Sequence, residues 1–405
     1  MYTLYIKITN SGTYTDYTSS VIAGSLKLEK QLFNNDLESV ISKLTFSIKN
    51  NTLINQINSN DDIYCQLSDG SNYIFTGYLS HNTNTKIKSF VEKQELTFLD
   101  NLYFLDKELK TDIILTNAYI KKDSDQNNSI FHQLLNQTGL TSYVSGDITT
   151  QLSVFKAQKG ENILKILDTL LKEYGYLIYA SGDGAIGVKQ IKKTSWTPAG
   201  TIANANMINE LEIEKKDTEA EACQINWNEI TLKSSIVLAE DTTGADASHR
   251  CNISVGAYGY YPTNSNTQDT FIEYKSALGD VVIATSATLN LTASASIQTQ
   301  TFTNKYTKAQ IKLYNNSGTA GSITKLQITG NAYIKKSSNI SLREIVSNTT
   351  KKKVYEAKYI YDVDNAKALA DWWAQYYYYS RFKYKFKSKT AYTLGECYTL
   401  TESIL

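Results

Sequence analysis

The sequence contains few residues whose type and spacing could support catalysis. Only three histidines occur, His81, His132 and His249, and none belongs to an HExxH pattern or a comparable metal-binding spacing. No GxSxG pattern supplies a nucleophile elbow. The run Gly182-Asp183-Gly184 precedes a strand pattern, so no helix N-terminus follows it to bind a phosphate. We therefore expect no enzyme activity, no cofactor and no metal site.

Neighbouring carboxylates are the second group to consider, because paired acids hydrolyse glycosidic bonds. The candidates are Asp61-Asp62, Glu219 with Glu221, and Asp362 with Asp364. Glycoside hydrolysis needs two carboxyl groups held across a cleft, which proximity in sequence does not establish. Caps, turns and solvated faces use the same residue types. We interpret these pairs as structural, with Asp364 as the N-cap of a helix.

One segment near the end of the chain alternates basic and aromatic residues. Phe382, Tyr384 and Phe386 lie between basic neighbours, which is the two-residue period of a half-buried strand. Such a strand could bind nucleic acid by charge and stacking, but a buried aromatic face with a wet basic face is favoured. A third interpretation places the basic face in a channel through which DNA passes without tight binding. The candidate channel-facing residues are Arg381, Lys383, Lys385 and Lys387.

The composition indicates a folded, mainly β protein without a strong net electrostatic field. A length of 405 residues suits about two to four domains. The formal charge is +1, from 41 basic and 40 acidic residues, so no global field recruits nucleic acid or acidic membrane. The chain has 30 tyrosines and only 2 prolines, and tyrosine favours pleated surfaces.

The sequence shows no sign of a membrane segment. The first ten residues alternate like a strand and lack the basic and apolar regions of a signal peptide. No run approaches the ~20 apolar residues that cross a bilayer. The four cysteines lie far apart without CxxC spacing, which indicates reduced thiols in a protein made in cytoplasm.

Changes of pattern along the chain predict four domains. The fold class is mainly β with α+β parts: two tube-like β-barrels, a small α/β domain and an inserted β-sandwich. The sandwich is inferred from strands separated by polar turns. The predicted boundaries are 1–105 for the first barrel, 106–200 for the α/β domain, 201–240 plus 346–405 for the second barrel, and 241–345 for the insertion.

Several local signals support this division. Two β-rich runs flank Asp69-Gly70, a pair that tolerates the positive φ of a tight hairpin turn. An apolar stripe from Glu161 to Tyr174 predicts a helix that ends at Gly175, and a hairpin follows around Gly182-Asp183-Gly184. Gly139 is a suitable residue to end a shorter helix before it.

Two separate parts of the chain resemble the tail hub proteins of tailed phages and related particles. Residues 354–400 give a strand, an alanine-rich helix, a strand and the turn Leu394-Gly395-Glu396, where the family more often has Asp in place of Glu. The first part gives Asp69-Gly70, then Ile74-Phe75-x-Gly77-x-Leu79, then a strand that ends at Leu99-Asp100. The two matches occur in the family's order.

The resemblance implies a mechanical function. Each subunit of such a hub contributes two tube-like barrels, so that a homotrimer presents six barrels around a central channel and fits a threefold tip to a sixfold tail tube. The implied partners are two further copies, a sixfold distal tail or tail-tube protein, a tip or spike protein and the tape-measure protein, with transient, non-specific passage of DNA. The expected location is the tail tip or baseplate of a virion that assembles in the cytoplasm of a bacterial host.

Two other functions stay open. The inserted β-sandwich could bind a receptor or carbohydrate as part of the same particle. A cell-wall-degrading tip enzyme is the second alternative, although the chain ends directly after the last predicted barrel strand, where we expect no enzyme domain.

Overall fold

The computed structural model describes most of the chain in two compact units. The first unit comprises residues 1–223, 343–353 and 368–405, and the second comprises 224–342 and 354–367. The prediction of a mainly β protein is confirmed, because strands are the dominant element. The structure describes residues 2–9, 12–30, 38–60, 62–80, 94–191, 200–203, 212–215, 220–241, 252–253, 258–260, 271–293, 297–316, 321–379, 382–385 and 398–401.

The first hundred residues form one antiparallel sheet. Its strands pair in the order β2-β1-β5-β6-β7-β4-β3. The predicted hairpin around Asp69-Gly70 is confirmed as β5 and β6. The elements are β1 (Thr3–Ile8), β2 (Thr15–Asp16), β3 (Lys27–Glu29), β4 (Lys43–Ile48), α1 (Asn51–Asn58), β5 (Ile63–Ser68), β6 (Tyr73–Leu79) and β7 (Gln94–Asp100).

Alternation along these strands directs one face of the sheet into an apolar core. In β5, Ile63, Cys65 and Leu67 are buried while the residues between them are partly exposed. Rings from β4 and β7 stack inside, with the centroids of Phe46 and Phe98 5.5 Å apart. Helix α1 adds its apolar face to the same core. The interior is therefore filled by side chains.

The segment 17–25, between β2 and β3, is hydrogen-bonded to two strands that are far apart in the sheet order. The Tyr17 N–H donates to the Leu4 carbonyl in β1 at 2.9 Å. The Ile22 N–H donates to the Ser47 carbonyl in β4, also at 2.9 Å. This segment thus connects both sides of the series β1-β5-β6-β7-β4.

The next part of the first unit combines helices with two hairpins. The predicted helix is α3, in which the Asn162 side chain accepts the Lys165 N–H at 3.0 Å. Gly139 follows α2 with φ of 79°, as predicted for a helix end. The elements are β8 (Ile113–Lys121), α2 (Ile130–Thr138), β9 (Ile148–Ala157), α3 (Ile163–Glu173), β10 (Tyr176–Ala180) and β11 (Ile186–Gln190). Helix α2 packs on β8, and α3 packs on β10.

Two sheets in the second unit share one core. Strand β22 pairs with β14, β15, β18 and β19, whereas β21 pairs with β16, β17 and β20. Ile311 and Leu313 of β21 pack with Leu326 and Ile328 of β22. The strands are β12 (Gly200–Ala203) and β13 (Glu212–Lys215), which precede this unit, then β14 (Ala222–Asp241), β15 (Asn252–Ile253), β16 (Tyr258–Tyr260), β17 (Ile272–Glu273), β18 (Asp280–Ala284), β19 (Thr288–Ala293), β20 (Ile297–Asn304), β21 (Lys308–Asn315), β22 (Gly321–Glu344) and β23 (Lys352–Glu356).

The last helix, α4 (Val363–Tyr379), begins two residues earlier than predicted. The Asp362 carboxylate accepts the Asn365 N–H at 2.8 Å, so Asp362 and not Asp364 is the N-cap. Asp364 lies in the first turn, where its charge still suits the helix dipole. Aspartate can cap a helix at either position. Because Val363 is already helical, the N-cap is the residue before it, Asp362. The predicted apolar stripe is confirmed by burial of Ala366, Leu369, Ala370, Trp373 and Tyr377.

Two short strands complete the described chain, β24 (Phe382–Lys385) and β25 (Tyr398–Thr401). Within the described ranges, no helix is long and apolar enough to span a membrane.

Candidate functional site

The predicted basic strand lies next to a strand from before the insertion. Strand β24 pairs antiparallel with β13, and the register places Glu214 opposite Lys383 and Glu212 opposite Lys385. Each described lysine position therefore has an acidic position directly across the ladder. Arg381 and Lys387, the other two candidate channel-facing residues, lie outside the described residues.

A second ladder joins the same two regions of the chain. Strand β12 pairs in parallel with β25, with Gly200 opposite Tyr398 and Ala203 opposite Thr401. Two strands that precede the second unit, β12 and β13, thus pair with the last two described strands of the chain. The domain boundaries predicted from the sequence stay a prediction.

Aromatic residues of α4 pack on the small α/β part of the first unit. Trp372 and Tyr376 lie against Leu177 and Tyr179 of β10. On the neighbouring side of α4, the Lys172 Nζ lies 5.8 Å from the centre of the Trp373 ring. Trp372, Trp373 and Tyr376 of α4 therefore serve packing in this part of the helix.

The glycine turn of the β10–β11 hairpin contacts the first sheet closely. The Thr76 hydroxyl donates to the Gly182 carbonyl at 2.8 Å, and the Asn101 amide donates to the Gly184 carbonyl at 2.6 Å. A Cβ at position 182 would lie 1.9 Å from the Tyr73 carbonyl oxygen. The turn is a docking point between two parts of the first unit. The sequence carries no signal for the contact itself.

The carboxylate pairs do not assemble into a hydrolytic site in the described residues. The Thr349 hydroxyl donates to Glu221 at 2.5 Å, and the Tyr78 hydroxyl donates to Asp62 at 3.4 Å. Asp362 caps α4, as described above. Asp61 and Glu219 lie outside the described residues.

Two other carboxyl groups are buried and were not singled out by their sequence. Burial raises the pKa of Asp168 to about 6, against hydrogen bonds from Ser39. Burial likewise raises the pKa of Asp100 to about 6, although the Ser42 and Leu102 N–H groups donate to it. Each carboxyl joins segments far apart in sequence, so its role could not be read from local pattern.

His132 is the one histidine that the structure describes, and it lies in a polar cluster. Its Nδ1 is 2.8 Å from the Ser129 hydroxyl and its Nε2 is 3.4 Å from Asp123 Oδ1. Burial, followed by the nearby Lys121 charge, lowers the pKa of His132. Within the described residues, no group of three or more His, Cys, Asp or Glu is placed to hold a metal ion. His81 and His249 lie outside those residues.

Comparison with known proteins gives structural neighbours among phage tail proteins. No family model and no curated protein matches the sequence. The chain is similar to the 43 kDa tail protein of prophage MuSo2 from Shewanella oneidensis, with 14% identity, 56% of this chain and 65% of that chain covered, and a TM-score of 0.37. It is similar to a tail protein from Neisseria meningitidis MC58, with 13% identity, 55% and 64% covered, and a TM-score of 0.39.

A third similar structure is the prophage tail protein gp18 from Listeria monocytogenes EGD-e, with 11% identity, 56% of this chain and 63% of that chain covered, and a TM-score of 0.36. The chain thus spans less than two thirds of the length of each of these three proteins. At these TM-scores the likeness does not assign a family.

Proposed function

We propose that this chain is the structural hub of a phage tail tip or baseplate. Three copies form a ring around a central channel and join a sixfold tail tube to a threefold tip. The chain then contributes shape and interfaces, and it has no catalytic role. Its partners are the other two copies, the distal tail or tail-tube protein, a tip or spike protein and the tape-measure protein. Its location is the virion tail.

The observation that carries this proposal is the closure of the first sheet by the segment 17–25. Hydrogen bonds continue from β1 through β5, β6, β7 and β4, and the segment 17–25 returns them from Ser47 to Leu4. A sheet closed in this way leaves these five strands without a free edge. These hydrogen bonds support our interpretation of the first hundred residues as the small barrel that the resemblance implies.

The filled interior of this barrel determines where a channel must lie. Phe46, Phe98 and Leu53 are at most 1% exposed, and they occupy the inside of the sheet. No solute can pass through such a core, because protein interiors are close-packed. A conduit therefore has to run between barrels, and this requires several copies of the chain around one axis.

The second barrel of the proposal is formed from strands on either side of the insertion. The ladders β12–β25 and β13–β24 join residues 200–215 with residues 382–401. The second unit is inserted between them in the sequence. Two barrels in each of three copies give the six positions that a sixfold tube needs.

The basic strand fits a channel wall that does not hold DNA tightly. Lys383 and Lys385 are each opposite a glutamate in the β13–β24 ladder. A wall on which two lysines lie opposite glutamates releases fewer counterions when DNA enters than unpaired lysines would, so binding is weaker. We therefore keep Arg381, Lys383, Lys385 and Lys387 as the candidate channel-facing residues of the hub.

The stoichiometry of the purified chain tests this function. Light scattering after size exclusion should give three times the 45.4 kDa chain mass, and electron microscopy should show rings with one face of nearly sixfold appearance. If assembly needs the tail-tube protein of the same particle, adding that protein should produce rings of this chain stacked on tube rings. A chain that stays monomeric alone and with the tube protein contradicts the hub.

The two alternatives predict different results in the same preparations. A cell-wall-degrading enzyme releases soluble fragments from purified peptidoglycan, and the hub does not. If the protein binds a receptor, its second unit in isolation should bind host cells. If the protein is a hub, this unit alone should not bind them.

A further inference from the structure

A buried amine and a partly exposed carboxyl group lie in contact at the end of β8. The Lys121 side chain is 2% exposed, and its Nζ lies 2.5 Å from Asp123 Oδ1 and 2.5 Å from the Gly146 carbonyl oxygen. The rings of Phe131 and Tyr143 have their centres 5.4 and 5.3 Å from this Nζ. The amine is thus removed from water and held against a carboxyl group whose side chain is 23% exposed.

The second oxygen of the same carboxyl group has a backbone donor. Asp123 Oδ2 accepts the Gly146 N–H at 2.7 Å. If a nucleophile attacks the Asp123 Cγ, negative charge develops on Oδ2, and this N–H is placed to stabilise it. Gly146 therefore holds the amine with its carbonyl and the carboxyl group with its N–H.

His132 lies between the Ser129 hydroxyl and the first oxygen. The Ser129 hydroxyl accepts the Lys122 N–H at 3.0 Å and is 2.8 Å from His132 Nδ1. In the tautomer that carries its proton on Nδ1, this nitrogen donates to the Ser129 hydroxyl, and Nε2 is the free base. This Nε2 is buried, has no hydrogen-bond partner and lies 3.4 Å from Asp123 Oδ1.

We propose that Lys121 and Asp123 condense to an intramolecular isopeptide bond, with His132 as the proton relay. A proton first moves from Nζ to Oδ1 along their short hydrogen bond, giving a neutral amine and a carboxylic acid. The Nζ lone pair attacks Cγ, and the Gly146 N–H stabilises the oxyanion on Oδ2.

The tetrahedral intermediate then loses water. His132 Nε2 takes the proton that the attacking nitrogen releases and donates it to Oδ1, which leaves as water. One C–N bond forms and one C–O bond breaks. The products are one amide and one water molecule, so the reaction needs no oxidant, reductant or co-substrate.

The product suits this environment better than the reactants do. The buried Lys121 ammonium carries a desolvation penalty, whereas the amide is neutral. The remaining N–H of the amide keeps its hydrogen bond to the Gly146 carbonyl. The bond would join the end of β8 to the loop that leads into α2, and it would form whether or not the chain is a hub.

Intact mass and a peptide map of the purified full chain test the proposal. We expect the folded protein to be lighter than its sequence by one water molecule. Trypsin should fail to cleave after Lys121, and fragmentation should assign the loss to residues 121–123. An unmodified mass overturns the proposal. A water loss that maps to another aspartate, or that hydroxylamine cleaves as a succinimide, also overturns it.

Two variants separate the reaction from folding. Lys121→Arg keeps the charge, but its guanidinium cannot be deprotonated in a protein, so the full mass should return. His132→Gln keeps both condensing groups, and the water loss should appear more slowly after refolding. Water loss in Lys121→Arg contradicts the assigned bond, and an unchanged rate in His132→Gln contradicts the relay.

Discussion

Removing the charge of Asp168 should stabilise the first unit at neutral pH. This carboxyl group lies on α3, where its Oδ1 accepts the Ser39 hydroxyl at 2.5 Å and the Ser39 N–H at 3.2 Å. Its residue is only 8% exposed. Burial raises its pKa from 3.8 to about 6, because the desolvation of the carboxylate outweighs those hydrogen bonds.

The sign of the effect follows from proton linkage. The folded state holds this proton more tightly than the unfolded state, so the free energy of unfolding falls as pH rises from 3.8 to about 6. A shift of about 2 pKa units corresponds to about 3 kcal/mol. This contribution to the free energy of unfolding is fully present below pH 3.8 and is lost above about pH 6.

The variant Asp168→Asn stays neutral at every pH, and its Oδ1 can still accept from Ser39. We expect it to match the wild type near pH 4 and to exceed it by up to about 3 kcal/mol near pH 7. Urea unfolding, followed by tryptophan fluorescence across this pH range, measures the difference. The matched control is Asp106→Asn, an exposed change in the same unit, which should leave the pH slope unchanged.

Two results would refute this reasoning. Some pH slope should remain in Asp168→Asn, because burial also raises the pKa of Asp100 in the same unit to about 6. A slope as steep as that of the wild type would show that Asp168 does not contribute to it. A variant that is less stable than the wild type near pH 7 would show that the charged carboxylate stabilises the contact with Ser39.

Three further predictions concern the core of the first sheet and two contacts between strands. Phe98→Ala should destabilise the first unit by about 3–5 kcal/mol in urea unfolding, because it leaves a cavity in a filled core. Tyr73→Ala, at a 46% exposed site, should cost much less. Gly182→Ala should lower the melting temperature, because its Cβ would lie 1.9 Å from the Tyr73 carbonyl; an unchanged melting temperature contradicts the docking. Lys383→Glu should destabilise the β13–β24 ladder by about 0.2–1 kcal/mol per repelling pair, and adding Glu214→Lys should restore the stability; a double variant that is no better than the single one contradicts the register.

Local pattern was enough to predict many elements of this chain. The stripe from Glu161 to Tyr174 has the period of a helix, and α3 occupies Ile163–Glu173. The Asp69-Gly70 pair lies in a hairpin turn, where Gly70 has φ of 102°. These features depend on neighbours within a few residues, and a single sequence contains that information.

Contacts between distant segments could not be predicted in the same way. The segment 17–25 has no strand period, yet its backbone is hydrogen-bonded to both β1 and β4. Lys121 follows a register shift in the β8–β9 ladder, which hides its burial from any alternating pattern. Ser39 and Asp168 are 129 residues apart, and neither has a local signature.

The sequence by itself determined that the protein is mainly β, where its clearest helices lie and which faces of its strands are apolar, because side-chain period follows directly from backbone geometry. Only the tertiary structure decided which strand edges pair, which of Asp362 and Asp364 caps α4, and which polar groups are enclosed. The physical reason is that strands and caps with equivalent local chemistry are distinguished only by the partners that folding brings to them.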